Sequence, residues 1–377
     1  MSLFQNRKTD LTILISELGK GGMGKMRIRI ANALAEKGIK IDFLFSKQGP
    51  EYSIKNLDPR IRTIQIKTTN SITGVLPLAH YLKKASPDAI LTQRIRVNIL
   101  AHRAKFIAQS PARIYSTINS NLSRSTRELY PKEKTKRLKR LRKNLPKNDG
   151  LIAISRGVAD DAKELIGASS TSISVAPNPV FSEELEKLSA EPVDHPWFSA
   201  DSPPVIIGIG RLERQKDFPN LVKAFARFRQ KHDCRLVILG KGPEREKILR
   251  VAREKGVEND TDLPGFFTNP YAFLARSSMF VLSSAWEGFG NALVEAMAVG
   301  TPAVSTNCPS GPEEILDEGR LGPLAPVGDA QALHEAMEEA WRNPLDTETL
   351  RASAQDRYSP SQSAAAYMAA MQLGVNK

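Results

Sequence analysis

The sequence predicts an α/β protein of two doubly wound units in tandem, each built on a parallel sheet. Short apolar runs alternate with segments of helical period through both halves, and the alternation breaks near the middle. Each half also opens on an apolar run followed by a glycine-bearing turn. Strand, helix and strand in succession require crossovers, which give a parallel sheet covered on both faces. Length agrees, because 377 residues exceed what one ordinary core encloses.

In the first half, candidate strands fall at residues 11–16, 41–45, 64–66, 89–91, 112–116, 151–154 and 173–175. Between the first two, Ile30, Ala33 and Leu34 share one face of a helix expected over 26–37, and Gly38 supplies its stop. The pattern breaks at Asn178-Pro179 and through 183–204, a Glu-, Pro- and Ser-rich stretch where a linker is expected. A second series follows, with strands at 205–209, 236–239, 279–282 and 303–305. A helix over 221–230 carries the stripe Leu221, Val222, Phe225 and Phe228. The expected domains are therefore 1–180 and 181–358, with a terminal segment at 359–377 packing back on the first as a helix. A cleft between two such units is a natural ligand site.

Composition narrows the function class. A hydrophobic fraction of 41% with 25% charged residues is that of a folded globular protein, without a disordered tract. No run approaches the roughly 20 apolar residues of a membrane span, and the start lacks a secretory signal, so a cytoplasmic location is expected. Cys234 and Cys308 match no metal-ligand spacing and read as free buried thiols. The five histidines, His80, His102, His195, His232 and His334, are scattered in the same way and read as surface or packing residues. The net charge of +13 points to an anionic partner. Much of it sits in 132–147, KEKTKRLKRLRKNLPK, where Leu138, Leu141 and Leu145 recur at helical spacing. This basic amphipathic segment is expected to dock on an anionic membrane surface. No nucleic-acid-binding motif accompanies it, and none is expected as a partner.

The sharpest motif is Ser283-Ser284-Ala285-Trp286-Glu287-Gly288-Phe289-Gly290-Asn291-Ala292-Leu293-Val294-Glu295. An apolar strand ends, a turn with two glycines follows, and a helix starts near Asn291. Glycines let backbone amides approach a ligand, and a helix N-terminus favours anions, so a diphosphate fits. Glu295 in the first turns can accept from ribose hydroxyls, and Glu287 sits on the turn itself. Arg211 and Lys216 follow another strand and lead into a helix. Cations aimed at a departing diphosphate stabilise the transition state more than the ground state.

These residues, with Ala296-Met297-Ala298-Val299-Gly300-Thr301-Pro302-Ala303-Val304, Gly210-Arg211-Leu212, Gln215-Lys216, Val237-Ile238-Leu239-Gly240-Lys241-Gly242-Pro243, Ala153-Ile154-Ser155 and Pro177-Asn178-Pro179, resemble the retaining glycosyltransferases of family 4. The matches come in the family's order and span nearly the whole chain. The resemblance implies the GT-B fold, two Rossmann-like domains facing a cleft, with the nucleotide-sugar donor held mainly by the second. It places Arg211 and Lys216 on the donor diphosphate, Glu287 near the sugar hydroxyls, and Glu295 on the ribose. It also implies sugar and phosphate contacts from backbone at Gly288, Phe289, Gly290 and Asn291, and base contacts at Gly265-Phe266. Glu287, Arg211 and Lys216 are the catalytic candidates.

In the first half, Gly19-Lys20-Gly21-Gly22-Met23-Gly24-Lys25-Met26 has two readings. The resemblance puts Gly21, Gly22 and Met23 beside the donor phosphates and acceptor. The alternative is the phosphate loop of an ATPase, but Met26 stands where that loop needs a hydroxyl for magnesium. Where many family members carry a histidine, this chain reads Ile118-Asn119-Ser120, so Asn119 can contact sugar or acceptor but cannot be a base. A noncatalytic nucleotide-sugar-binding module therefore stays open as a reading. Asp260-Thr261-Asp262 has metal-pair spacing but follows no apolar strand and reads as a loop, so no metal and no cofactor are expected. The expected activity is transfer of a hexose or N-acetylhexosamine from a UDP-linked donor to a glycan or lipid-linked acceptor. The setting expected is surface polysaccharide or lipopolysaccharide assembly, with the enzyme peripheral on the inner face of the plasma membrane.

Overall fold

The computed structural model describes residues 8–18, 21–48, 54–66, 72–126, 129–167 and 171–374. Contacts divide the chain into one unit of Met1–Pro179 with Pro360–Lys377 and another of Val180–Ser359. In the first, β1 (Leu11–Leu14), β2 (Glu17–Leu18), α1 (Gly21–Glu36), β3 (Ile41–Phe45), β4 (Lys47–Gln48), β5 (Arg62–Gln65) and α2 (Val75–Ala85) lead to β6 (Ala89–Thr92) and α3 (Ile95–Ala108). Then come β7 (Arg113–Ile118), α4 (Leu122–Ser125), α5 (Pro131–Asn144), β8 (Gly150–Ala153), α6 (Arg156–Ile166) and β9 (Ile173–Val175).

The main sheet of this unit runs β5-β3-β1-β6-β7-β8-β9, with every pair parallel. Strands β1, β3, β6 and β8 are buried at every position, as expected where helices cover both faces. Leu11 pairs with Ile41 on one side and Ala89 on the other, so the strand order reverses at β1 and β6. Chains leaving those two strands diverge and open a crevice at their carboxyl ends. The core tolerates the Asp42 carboxylate on β3 because Thr9 donates at 2.9 Å, Tyr81 at 2.7 Å and Arg62 Nε at 2.8 Å.

The second unit contains α7 (Glu183–Ala190), β10 (Val205–Ile209), α8 (Phe218–Arg229), β11 (Arg235–Leu239), α9 (Arg245–Glu254), β12 (Thr261–Gly265), α10 (Tyr271–Ala275) and β13 (Met279–Leu282). It continues with α11 (Asn291–Ala298), β14 (Ala303–Thr306), α12 (Pro312–Ile315), β15 (Leu324–Ala325), α13 (Ala330–Arg342) and α14 (Thr347–Tyr358). Its parallel sheet is ordered β12-β11-β10-β13-β14-β15. The last helix, α15 (Pro360–Met371), returns to the first unit and packs on α1 through Ala364, Tyr367 and Met371. Ser363 Oγ donates to the Pro177 carbonyl at 2.8 Å.

Two expectations are corrected. The stretch expected as a linker forms α7 and a short 3-10 turn at Pro196–Phe198; Leu185 is the buried anchor of α7. Thr261 and Asp262, expected in a loop, begin β12. That strand is an edge, where Pro264 is tolerated because one side needs no ladder donor. Of the leucines of the basic segment, Leu141 on α5 and Leu145 just after it are buried and Leu138 is half buried, and α5 packs on α3 and α6. The buried leucines hold the helix to its own unit, and most of its cations are exposed.

Candidate functional site

At the carboxyl ends of β10 and β13 two loops are stitched together by hydrogen bonds. The first runs from Gly210 to Asp217, with a 3-10 turn over Arg214–Lys216, and enters α8. The second runs from Ser283 to Gly290 and enters α11. Ser283 Oγ donates to the Lys216 carbonyl at 2.8 Å, Ala285 N to the Gln215 carbonyl at 2.8 Å, and Gln215 Nε2 to the Trp286 carbonyl at 3.0 Å. These bonds fix where the side chains of the first loop lie relative to the second.

Lys216 Nζ reaches Glu287 Oε1 at 2.6 Å, and Ser284 Oγ donates to the same oxygen at 2.7 Å. Side-chain exposure is 15% for Lys216 and 8% for Glu287, so the pair is largely out of water. Ser284 is itself fully buried, and its carbonyl accepts from Thr306 Oγ1 at 2.6 Å. Glu287 N donates to the Pro309 carbonyl at 3.1 Å, which pins the carboxylate from its backbone side. Gly210 is needed for close approach: a Cβ there would lie 2.8 Å from Lys216 Cε. A side chain at 210 would push the ammonium off its seat.

Arg211 behaves differently. Its side chain is 68% exposed, with Nη1 on Glu213 at 2.6 Å and Nη2 leaning towards Gln215 Oε1 at 3.5 Å. Two cations of unlike setting therefore share one loop, one enclosed and one open to solvent. Beside them, Gly290 (φ +105°) caps α11, whose N-terminal amides favour an anion. Phe289 is buried edge-on against Tyr358, so its contribution to any ligand is through backbone. Gly311 approaches that backbone so closely that a Cβ would sit 1.7 Å from the Phe289 carbonyl oxygen.

Glu295, half buried on α11, accepts from the Tyr271 hydroxyl at 3.3 Å. Gly265 (φ +103°) ends β12, and Phe266 after it is 58% exposed, so packing does not account for that aromatic. Asn119 and Gly21–Met23 belong to the first unit, Asn119 directly after β7 and the others in the first turn of α1. Gly19 and Lys20 of the glycine-rich stretch lie outside the described residues. Asp260 is engaged by Arg229 and Arg235, and Asp262 by His195 at 2.9 Å. His232 meets Glu338 at 3.2 Å and His102 meets Asn148 at 3.3 Å. Cys308 lies near the pair, and burial pushes its thiol up to about 12, which keeps it protonated and inert. Cys234 is likewise free and buried.

Sequence reasoning singled out Lys216 and Glu287 but not their contact, and it missed Ser284 and Tyr271 as the groups that hold the two glutamates. A serine three positions before a turn glutamate was the available signal for the first; nothing local signalled the second.

Comparison with known proteins finds relatives for both halves of the chain. Residues 192–357 match the family described as glycosyl transferases group 1, and residues 20–184 match glycosyltransferase family 4. A lipopolysaccharide core biosynthesis glycosyltransferase of Rhizobium meliloti is 26% identical over 85% of each chain. An N-acetylgalactosaminyltransferase of Campylobacter jejuni, named for a diphospho-undecaprenol-linked acceptor, is 28% identical over 59% of this chain and 60% of its own. The chain spans still less, 36%, of an uncharacterised glycosyltransferase of Methanocaldococcus jannaschii, with 36% identity over 144 residues. Among solved structures, Anabaena HepE in complex with UDP and glucose superposes with TM-score 0.73 over 96% of this chain and 99% of that one; at 18% identity it shows the fold.

Lys216→Met leaves the Glu287 carboxylate enclosed without its cation and is expected to destabilise the second unit by about 3–5 kcal/mol. Lys216→Met with Glu287→Gln should recover most of that loss in denaturant unfolding. Additive losses in the double variant would show that the two side chains do not interact.

Proposed function

The chain belongs to glycosyltransferase family 4, with two Rossmann-like units of the GT-B class, and from that premise we propose that it is a retaining transferase. It moves a hexose or N-acetylhexosamine from a UDP-linked donor to a membrane-associated, lipid-linked glycan in lipopolysaccharide or surface polysaccharide assembly. The observation that carries the reading is the enclosed Lys216–Glu287–Ser284 constellation, set between a glycine turn and an exposed Arg211 at the carboxyl end of the second sheet. In this reading the diphosphate lies at the α11 N-terminus, Lys216 and Arg211 neutralise it, Glu287 takes sugar hydroxyls, and Glu295 takes ribose hydroxyls.

The reaction follows from charge. The bond between the anomeric carbon and the phosphate oxygen breaks, its electron pair stays on the diphosphate, and the acceptor oxygen bonds to the same face of the sugar. The acceptor proton passes to the departing phosphate oxygen, so no protein base is required and Asn119 suffices where a histidine is common. Lys216 and Arg211 supply the charge stabilisation that a metal ion gives elsewhere, because an ammonium held in a dry, preformed seat needs no reorganisation as charge develops.

Docking at the membrane rests on α5 and the residues after it. Nine Lys or Arg in the sixteen residues 132–147 are worth about 1 kcal/mol each near an anionic surface. Because Leu141 and Leu145 are buried, attachment is electrostatic rather than by insertion. The Rhizobium and Campylobacter relatives, named for lipopolysaccharide core and polyprenyl-diphosphate acceptors, support such a setting.

Donor hydrolysis or transfer, measured over a panel of nucleotide sugars, should select a UDP sugar. Lys216→Ala should lower kcat/KM by about 100-fold or more, as for loss of a transition-state donor, and Glu295→Ala, which removes an acceptor of ribose hydroxyls, by about 10-fold or more. Lys25→Ala should change it by less than about three-fold. Equal effects at all three positions would refute the site. On phosphatidylglycerol vesicles, sedimentation of the protein should fall steeply between low and physiological salt and vanish when Lys136, Arg137, Lys139 and Arg140 become Gln. Salt-independent sedimentation would refute electrostatic docking.

A further inference from the structure

The first unit contains a second buried cation, and no role assigned so far uses it. Arg27 on α1 is 4% exposed. Its Nη2 donates to Thr117 Oγ1 at 2.5 Å, and the buried Tyr367 hydroxyl of α15 also lies against it. Both partners are hydroxyls, and among the described residues no carboxylate pairs with the guanidinium. The Nε and Nη1 atoms, which carry three N–H donors, find no acceptor among the described protein atoms. A buried charge left this way is strongly unfavourable unless something else completes it.

What could complete it is set by the surroundings. Arg27 lines the crevice at the carboxyl ends of β1 and β6, where the strand order reverses, together with Ser16, Glu17, Gly24, Gln93 and Arg94. The floor of that crevice has about 20 Å³ of room, enough for a single oxygen-sized group. Arg94 is exposed at the start of α3, and Glu17 is the sole acid of the lining, so the crevice carries a net positive charge. One water would satisfy a donor but not the charge.

We propose that this crevice is an oxyanion site distinct from the Lys216 site. It takes one oxygen of a phosphoryl or carboxylate group against Arg27, with Arg94 closing over the remaining oxygens. On the transferase reading the anion belongs to the acceptor; the site itself does not depend on that reading. Thr117 and Tyr367 are positioning residues, which hold the guanidinium at the crevice wall.

The test is calorimetric titration of the full-length protein with inorganic phosphate at constant ionic strength, first alone and then saturated with UDP. Phosphate should bind the UDP-saturated protein, with affinity reduced ten-fold or more in Arg27→Gln and five-fold or more in Arg94→Gln. UDP affinity should change by less than two-fold in both. A parallel titration with malonate identifies the class of anion: whichever of the two binds tighter names it. Phosphate that no longer binds once UDP is present, or that binds Arg27→Gln as it binds the wild type, would overturn the proposal. If Arg27→Gln does not fold, an unchanged Arg94→Gln overturns it instead. Failure of the donor assignment would show separately, as absence of UDP binding to the wild type, and phosphate is then titrated without UDP.

Discussion

The contact between Lys216 and Glu287 is the interaction that orders the second unit's candidate site. It joins two loops 71 residues apart in sequence at 2.6 Å, and both side chains are largely enclosed. Such a pair adds little net stability, because desolvating two charges offsets most of their attraction. What it provides is position. An ammonium on a flexible four-carbon stem would otherwise sample many rotamers, and here it has one place to be. The Ser284 hydroxyl and the Pro309 carbonyl fix the carboxylate in turn.

That arrangement is a consequence of parallel-sheet architecture. Every strand of the second sheet points the same way, so the loops leaving β10 and β13, neighbours in the sheet, emerge side by side. Small residues then let them close: Gly210 makes room for the lysine stem, and Gly311 lets a third segment reach the Phe289 carbonyl. The first unit uses the same logic at β1 and β6, where a crevice opens beside Arg27. Both candidate sites thus sit where the topology gathers backbone and charge, and neither needs a dedicated domain.

Most of the fold was legible because its central strands are buried on both faces and read as largely apolar runs: Ile41–Phe45 (despite Asp42), Val205–Ile209 and Met279–Leu282 appear at their expected bounds. Edges were harder. Strand β12 breaks its apolar pattern with Asp262 and Pro264, and β15 has two residues. Helix α7 hid in a Glu-rich stretch because a single buried residue, Leu185, anchors it. At the site, residue types were legible from the glycine turn and its flanking charges, but partnerships were not. Sequence presents Lys216 and Glu287 as two independent tools, and only the folded chain shows one holding the other. Arg27 gave no signal at all, since a lone arginine in a helix looks like surface charge until its burial is known.

The central claim is that the enclosed lysine and its loop partner Arg211 receive the diphosphate of a nucleotide sugar. A crystal structure of the protein with UDP tests it most directly. Diphosphate oxygens are expected within about 3 Å of Lys216 Nζ and of the first amides of α11, as for charge-assisted hydrogen bonds, with Arg211 swung from Glu213 onto the phosphate. UDP bound elsewhere, with Lys216 still on Glu287 and Arg211 still facing solvent, would contradict it.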